Sequence, residues 1–158
     1  MAGVFFMAEQ YFLYSFAQLG TALLYDILAL RSKIFVVEQN IAYLDADGND
    51  QHCLHLCLMD GNTLIGYARI VPPGLKFAEA AIGRIVVDAA HRGRGLGTAL
   101  MERAMAETRR AYGDVPVIVE AQAHLQAFYE SIGYVTYTEP YMLEGLMHVR
   151  MEYKKVSE

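Results

Sequence analysis

The spacing of apolar residues predicts alternating strands and helices along most of the chain. Apolar side chains recur every three or four residues over 21–37 and from Leu96 to about Tyr112, which predicts two helices. A third helix is predicted at 124–132, because Gly133 follows it where helices often end. Runs rich in β-branched and aromatic residues predict strands at 11–17, 53–59, 63–71, 81–88, 115–120, 134–138 and 147–153.

The element order, β-α-β-β-β-α-β-α-β-β, predicts a mixed α/β fold in a single domain over 1–158, with an ordered core at about 10–154. Asp60-Gly61-Asn62 joins two of the strands and signals a hairpin. Glu144-Gly145 predicts the turn between the last two strands, and the polar segment 40–52 predicts a loop.

Charge narrows the class of ligand. The chain has 158 residues, of which 54% are hydrophobic, and a net charge of -5, which argues against a nucleic-acid partner. Six of the thirteen Lys and Arg residues lie between positions 84 and 110: Arg84, Arg92, Arg94, Arg103, Arg109 and Arg110. A local basic zone on an acidic protein suits a small polyanion better than a long one.

The sequence gives little support for a metal site, a disulfide framework or a membrane-spanning segment. Cys53 and Cys57 are predicted to be reduced core thiols, since two cysteines make no disulfide framework for a domain of this size. His52 and His55 flank Cys53 without a recognised zinc spacing, so no metal is predicted. The apolar N-terminal segment lacks a positive region and no run of 18 apolar residues occurs, so the protein is predicted to be cytoplasmic and to have no membrane partner.

The segment 91–97 (HRGRGLG) has the composition of a phosphate-binding loop. Glycines at 93, 95 and 97 let the backbone approach a ligand and aim several N–H groups at it. The helix that begins near Gly95 adds the partial positive charge of its N-terminus. Neither the Walker spacing nor the G-x-G-x-x-G dinucleotide spacing is present, and a tight turn without a ligand stays open.

Arg92-x-x-Gly95-x-Gly97 resembles the Arg/Gln-x-x-Gly-x-Gly/Ala motif of the GNAT superfamily of acetyl-CoA-dependent N-acetyltransferases. Shorter matches between about residues 24 and 153 resemble the ElaA-like branch: Leu30-Arg31, Phe35-Val36-Val37-Glu38-Gln39, Tyr67-Ala68-Arg69, Ile82-Gly83-Arg84, Ala121-Gln122-Ala123-His124-Leu125-Gln126, Phe128-Tyr129 and His148. The resemblance implies a single-domain GNAT fold, with a mixed central sheet of six to seven strands, flanking helices and a splayed pair of parallel strands.

The resemblance also implies acetyl-CoA as a co-substrate, bound where the strands 81–88 and 115–121 splay apart. Backbone groups of the first strand would pair with the pantetheine arm, and N–H groups of the glycine loop would hold the pyrophosphate. The amide of Gln122 would bond the pantetheine, and Phe128 would pack against the donor. The implied donor-binding residues are Ile85, Val86, Val87, Arg92, Gly93, Arg94, Gly95, Leu96, Gly97, Thr98, Gln122 and Phe128.

Tyr129 lies four residues before Gly133, where the family commonly has a tyrosine that acts as general acid. When an amine attacks a thioester, the departing thiolate needs a proton or a hydrogen bond. A phenol with a pKa of about 10 is protonated at neutral pH and can supply either. The alternative is a half-buried helical tyrosine with no role in the chemistry.

The attacking amine must be neutral, so a base or a water path is needed. Two residues are singled out: Glu38, where burial after an apolar run would raise the pKa, and His148, on a strand predicted to face the acceptor. Glu38 could instead cap the chain or pair with Arg31, and His148 could be structural. The other candidates are Asp45, Asp47, His55 and Glu120.

Three aspartates, Asp45, Asp47 and Asp50, have two interpretations. They form either an acidic patch that attracts a cationic amine or a solvated turn. Calcium is not predicted, because Leu56 stands where an EF-hand loop needs glutamate.

Two functions follow from these predictions. The first is direct transfer of an acetyl group from acetyl-CoA to a primary amine in a ternary complex, without an acylated side chain. The acceptor would be a small molecule or a peptide. The second is a non-catalytic module that binds acyl-CoA with the same fold. The apolar-rich composition permits a homodimer.

Overall fold

The structure is a computed structural model that describes residues 9–154. The predictions for residues 1–8, and the outer limits of the predicted domain, lie outside this range. Within it, the three α-helices are α1 (Thr21–Ser32), α2 (Leu96–Tyr112) and α3 (Gln126–Ser131). The eight strands in the same range are β1 (Glu9–Ser15), β2 (Leu54–Asp60), β3 (Thr63–Val71), β4 (Ala80–Val87), β5 (Val117–Gln122), β6 (Val135–Thr136), β7 (Tyr141–Leu143) and β8 (Leu146–Tyr153).

All of these strands join one mixed sheet. Its order is β1-β2-β3-β4-β5-β8-β6, and the short β7 pairs with β8 outside that path. Each neighbouring pair is antiparallel except β4 with β5, which is parallel. The mixed α/β fold is therefore confirmed, with eight strands where six to seven were expected.

The alternation of side chains along the strands divides the core into two layers. On one face, Leu100 and Met101 of α2 pack in a cluster with Leu56 of β2. On the other face, Ile27 of α1 packs with Cys57 of β2. Because Leu56 and Cys57 are neighbours, they point to opposite faces and give each helix its own layer.

The parallel pair separates soon after it forms. β4 and β5 pair only at Ala80–Val117 and Ala81–Ile118, although both strands continue for several residues. The cause lies in β4, where the register against β3 shifts and Arg84 has a φ of 51°. An extra residue of this kind bends a strand and increases its twist. The predicted splayed pair is confirmed.

Two elements differ from the sequence prediction. The helix predicted over 21–37 is α-helical only to Ser32 and continues as a π-helix over Lys33–Glu38. β7 was not predicted, because it has three residues and follows directly after Pro140. It is held by pairing with β8 across a turn in which Glu144 and Gly145 have φ values of 48° and 79°.

Cys53 and Cys57 are buried and free, as predicted. Burial raises the pKa of the Cys53 thiol to about 11 and that of Cys57 to about 12, so both are protonated at neutral pH. Over residues 9–154, no group of three or more His, Cys, Asp or Glu side chains could hold a metal ion. No helix in that range is both long enough and apolar enough to cross a membrane.

Candidate active site

The glycine loop leads directly into α2. Gly93 and Gly95 have φ values of 78° and 73°, a left-handed conformation that glycine adopts without strain. The first backbone bond of the helix runs from the Ala99 N–H to the Gly95 carbonyl at 3.2 Å. The N–H groups of residues 96–98 are thus left at the exposed helix start, where the helix dipole favours an anion.

A cavity of about 240 Å³ opens beside this helix start, and we call it the loop cavity. It brings together most of the predicted donor residues, namely Ile85, Val86, Val87, Arg92, Gly93, Gly95, Leu96, Gly97 and Phe128. Phe128 crosses over Gly97, where an added Cβ would lie 3.8 Å from the ring. The residues of β4 that line the cavity come after the point where β5 has separated, so this edge of β4 is free for a ligand.

Three predicted donor residues do not line the loop cavity. Arg94 pairs with Glu9 of β1, and Thr98 lies in the first turn of α2. Gln122 lies at the end of β5 and exchanges two hydrogen bonds of 3.1 Å with the amide of Gln39. The amide of Gln122 is therefore occupied by Gln39 in the structure.

A second cavity, of about 310 Å³, lies beneath the β7–β8 hairpin, and we call it the hairpin cavity. Its walls come from the segment 35–47, the loop between β3 and β4, the strands β4 and β5, and the hairpin itself. Ile85, Leu125 and Tyr129 line both cavities. The two spaces therefore meet at Tyr129, beside the strand fork.

Tyr129 is 7% exposed. Burial raises the pKa of its phenol to about 12, so the hydroxyl is protonated at neutral pH. Its ring packs edge-on against Phe128 and Tyr134, with centroids 5.1 and 5.9 Å away. Among the described residues the hydroxyl has no hydrogen-bond partner in the structure, which leaves it available to donate to a ligand.

The burial predicted for Glu38 is wrong. Its side chain is 42% exposed at the end of the π-helix, where it accepts bonds of 2.5 and 3.0 Å from the Arg92 guanidinium. The hydrogen bonds from Arg92 lower the pKa of this carboxyl, opposite to the predicted direction. The alternative pairing of Glu38 with Arg31 is not found either, since Arg31 binds Asp45 and Asp50. Glu38 lines neither cavity.

The three aspartates form neither a solvated turn nor an unpaired acidic patch. They belong to an ion-pair network of six side chains: Asp45, Asp47, Asp50, Arg31, Arg69 and Arg84. Arg31 and Arg69 are 0% and 1% exposed. Burial alone would raise the pKa of Asp50, but hydrogen bonds from Arg31 and Arg69 outweigh it and hold that pKa below its usual range.

Two candidate histidines differ in what their ring nitrogens contact. His55 is fully buried, with Nδ1 2.7 Å from the Tyr67 hydroxyl and Nε2 2.9 Å from the Asp50 carbonyl. Burial lowers its pKa, and both nitrogens are occupied, so His55 is structural. His148 lines the hairpin cavity, and its Nδ1 lies 2.9 Å from the Leu146 carbonyl. Because a carbonyl only accepts, Nδ1 donates there and Nε2 of the neutral ring keeps its lone pair.

The sequence model of the acetyltransferase (GNAT) domain family matches residues 32–155 of the chain. The chain belongs to the GNAT acetyltransferase family. The ElaA protein of Escherichia coli strain K12 is 38% identical over 137 residues, which cover 85% of this chain and 90% of that protein. The predicted resemblance to the ElaA-like branch is thus confirmed.

Solved structures agree with the GNAT assignment. An acyl-CoA N-acyltransferase from Pseudomonas aeruginosa superposes with a TM-score of 0.88 at 38% identity, covering 92% of this chain and 99% of that one. The crystal structure of Escherichia coli ElaA gives a TM-score of 0.87 at 35% identity, covering 93% and 100%. The protein is therefore a GNAT-type N-acetyltransferase, with a fold that supports acyl transfer from acyl-CoA.

The GNAT motif pointed to the loop cavity but not to several residues of the hairpin cavity. Gln39, Lys76 and Phe77 line it, and sequence reasoning gave them no role. Gln39 and Gln122 are 83 residues apart, so no local pattern announces their contact. Lys76 lies between two strands, in a loop whose sequence resembles an ordinary connection.

Proposed function

We propose that this GNAT protein transfers an acetyl group from acetyl-CoA to a primary amine, by direct attack in a ternary complex. The donor would occupy the loop cavity and the acceptor the hairpin cavity. The observation that carries the proposal is the meeting of the two cavities at Tyr129, beside the fork between β4 and β5. A ternary complex needs two adjoining spaces of this kind, so that both substrates are bound when the amine attacks.

The residues around the loop cavity fit the chemistry of the donor. The pyrophosphate would lie at the start of α2, where N–H groups and the helix dipole favour an anion. Arg92 would exchange Glu38 for a phosphate oxygen. The pantetheine arm would pair with the free backbone edge of Ile85–Val87, as an added strand does.

The transfer itself uses few groups. The amine nitrogen attacks the thioester carbonyl, a C–N bond forms, and the C–S bond breaks. The departing thiolate takes a proton from the Tyr129 hydroxyl, which its raised pKa keeps protonated until that moment. The proton that the amine must lose goes to Nε2 of His148, the better-placed base, because Nε2 carries a lone pair and the ring lines the cavity proposed for the amine. The lowered pKa and the exposure of Glu38 give no support to that role.

Tyr129→Phe tests whether the Tyr129 hydroxyl acts as the general acid. We expect kcat to fall about a hundredfold, the usual contribution of a positioned acid or base. The affinity for acetyl-CoA should stay the same, because the ring and its packing remain. A thiol reagent that detects CoA release with a panel of primary amines measures kcat. Calorimetry measures the affinity for acetyl-CoA.

Tyr134→Phe is the matched control. Tyr134 is also a buried tyrosine, it contacts Tyr129, and it lines neither cavity. Its hydroxyl has no hydrogen-bond partner among residues 9–154, so its removal should leave the kinetics unchanged. An equal kcat in Tyr129→Phe and the wild type would remove Tyr129 from the mechanism. Binding of acetyl-CoA without turnover of any amine would favour the non-catalytic module.

A homodimer and a cytoplasmic location stay predictions.

A further inference from the structure

Glu120 is a carboxylate that lines the hairpin cavity and is 10% exposed. One oxygen, Oε2, accepts a 2.5 Å bond from the Tyr141 hydroxyl and a 3.3 Å bond from Arg150 Nε. The other, Oε1, accepts a 2.9 Å bond from Lys76 Nζ. Burial alone would raise the pKa of this carboxyl, but the bonds from Tyr141, Lys76 and Arg150 outweigh it and keep the group ionised at neutral pH.

The partner of Oε1 differs from the partners of Oε2. Tyr141 lies on β7 and Arg150 lies opposite Glu120 on β8, so regular pairing fixes both. Lys76 comes from the loop between β3 and β4, is 34% exposed, and reaches Glu120 with a flexible side chain. A primary ammonium ion thus occupies Oε1, on a side chain that can turn out into solvent.

Other carboxylates of the hairpin cavity are less suited to a cation. Asp47 uses both oxygens on the buried Arg69, which cannot leave without exposing an unpaired charge. Glu144 lies in the exposed turn of the hairpin. Glu120 therefore combines burial, charge and a removable partner.

β5 separates from β4 after Ile118, so Glu120 lies at the opening of the fork and Gln122 lies further along it. Glu120 and Gln122 lie on the same face of β5, about 7 Å apart along the strand, since alternate residues share a face. An extended four-carbon diamine separates its nitrogens by about 6 Å, from bond lengths of about 1.5 Å. One amine of such a molecule would lie beside Gln122 while the other meets Glu120.

We propose that Glu120 binds a second ammonium group of the acceptor, and that Lys76 holds this position until the acceptor displaces it. The preferred acceptor would be a primary amine with a second cation about four carbons away. The inference rests on the proposed function, because it assigns the hairpin cavity to the acceptor. A tethered competitor is present at millimolar effective concentration, so Lys76 would also weaken acceptor binding.

Calorimetry on the protein saturated with CoA tests the inference without requiring turnover. The probes are 1,4-diaminobutane, n-butylamine and 4-aminobutanoate, which differ in the group at the far end. We expect 1,4-diaminobutane to bind about tenfold more tightly in Lys76→Met than in the wild type, because the tethered competitor is gone. In Glu120→Gln its affinity should fall at least to that of n-butylamine, which should bind weakly to every variant.

Lys154→Met is the matched control. Lys154 also forms an ion pair, 3.0 Å from Glu152, but it is 70% exposed and lines neither cavity. It should leave the affinity for 1,4-diaminobutane unchanged, and thermal melting would confirm that each variant folds. The inference is overturned if Glu120→Gln binds 1,4-diaminobutane as the wild type does, if Lys76→Met shows no gain, or if 4-aminobutanoate binds more tightly than the diamine.

Kinetics separate this inference from the proposed function. If Glu120→Gln and Lys76→Met both turn over amines at the wild-type rate, the acetyltransferase assignment stays intact and Glu120 has no role in acceptor recognition. Diamine binding that follows the expected pattern, with no turnover of any amine, would support Glu120 and count against the catalytic proposal. The two failures therefore look different in the same set of variants.

Discussion

The loop cavity is made largely from backbone, whereas the hairpin cavity is made from side chains that distant segments contribute. At the loop cavity, two glycines, a helix start and an unpaired strand edge provide the polar groups. At the hairpin cavity, polar side chains such as Gln39, Glu120 and His148 come from three separate parts of the chain.

This difference has a physical consequence for stability. Backbone groups at the loop cavity are held by α2 and β4 and need no long-range partner. The wall of the hairpin cavity formed by residues 41–47 is instead held by the ion-pair network, through Asp45 and Asp47. The acceptor side should therefore be more sensitive to the loss of one buried charge than the donor side.

Arg69→Met breaks the network and should have the largest effect. Arg69 is 1% exposed and makes three bonds of 2.7–2.9 Å to Asp47 and Asp50. Removing one partner of a buried ion pair costs about 3–5 kcal/mol, because the remaining charges are left uncompensated. We expect the free energy of unfolding, measured in urea, to fall by that amount.

Arg109→Met is the control, since Arg109 lies 3.7 Å from Asp114 in an exposed ion pair. It should change the free energy of unfolding by less than about 1 kcal/mol. Where Arg69→Met still folds, its affinity for acetyl-CoA should equal that of the wild type. A large loss of donor affinity would show that the two cavities are not built independently.

Gly95→Val changes the backbone of the loop cavity and should have the next largest effect. Its φ of 73° is a left-handed conformation that costs a side chain about 1–2 kcal/mol. Relief of that strain would turn the N–H groups at the start of α2 away from the phosphate position. We expect the dissociation constant of acetyl-CoA, measured by calorimetry, to rise between about tenfold and a hundredfold.

Gly113→Val separates this effect from general destabilisation. Gly113 has a φ of 82° at the other end of α2, and an added Cβ would meet nothing within 4 Å, as at Gly95. Because its ψ of -167° lies in a region that essentially only glycine adopts, Gly113→Val should lose at least as much thermal stability as Gly95→Val, but only Gly95→Val should lose donor affinity. Equal affinities in both would mean that the glycine loop does not hold the phosphates.

The same contrast explains what the sequence could predict. The glycine spacing and the strand pattern around Val86 are local, so the donor side and most of the element order could be read directly. The contacts Gln39–Gln122 and Lys76–Glu120 span 83 and 44 residues, and no periodicity encodes such pairs. Most of the residues predicted to bind the donor therefore line the loop cavity, whereas the long-range contacts of the hairpin cavity were found only in the structure.

The errors had the same origin. Glu38 was expected to be buried because an apolar run precedes it, but the switch from α-helix to π-helix at Lys33 changes which residues face outward. Asp45, Asp47 and Asp50 resembled a solvated turn because their arginine partners come from α1, β3 and β4. A turn-like local pattern cannot show that a buried guanidinium lies above it.

Glu38→Gln tests the ion pair between the π-helix and Arg92 of the glycine loop, and it should have the smallest effect. In the free protein, Glu38 occupies the guanidinium of Arg92. Its loss would leave Arg92 free for a phosphate, so we expect acetyl-CoA to bind about two- to fivefold more tightly, as the strength of an exposed ion pair allows. Calorimetry at two salt concentrations measures the gain, which should shrink as salt rises.

Glu102→Gln is the control, because it removes the same charge from an exposed position on α2 that lines neither cavity. A similar gain in both variants would assign the effect to net charge rather than to Arg92. The kcat of Glu38→Gln decides the remaining alternative. An unchanged kcat means that Glu38 only competes with the donor, whereas a fall of a hundredfold or so would restore it as the general base despite its exposure.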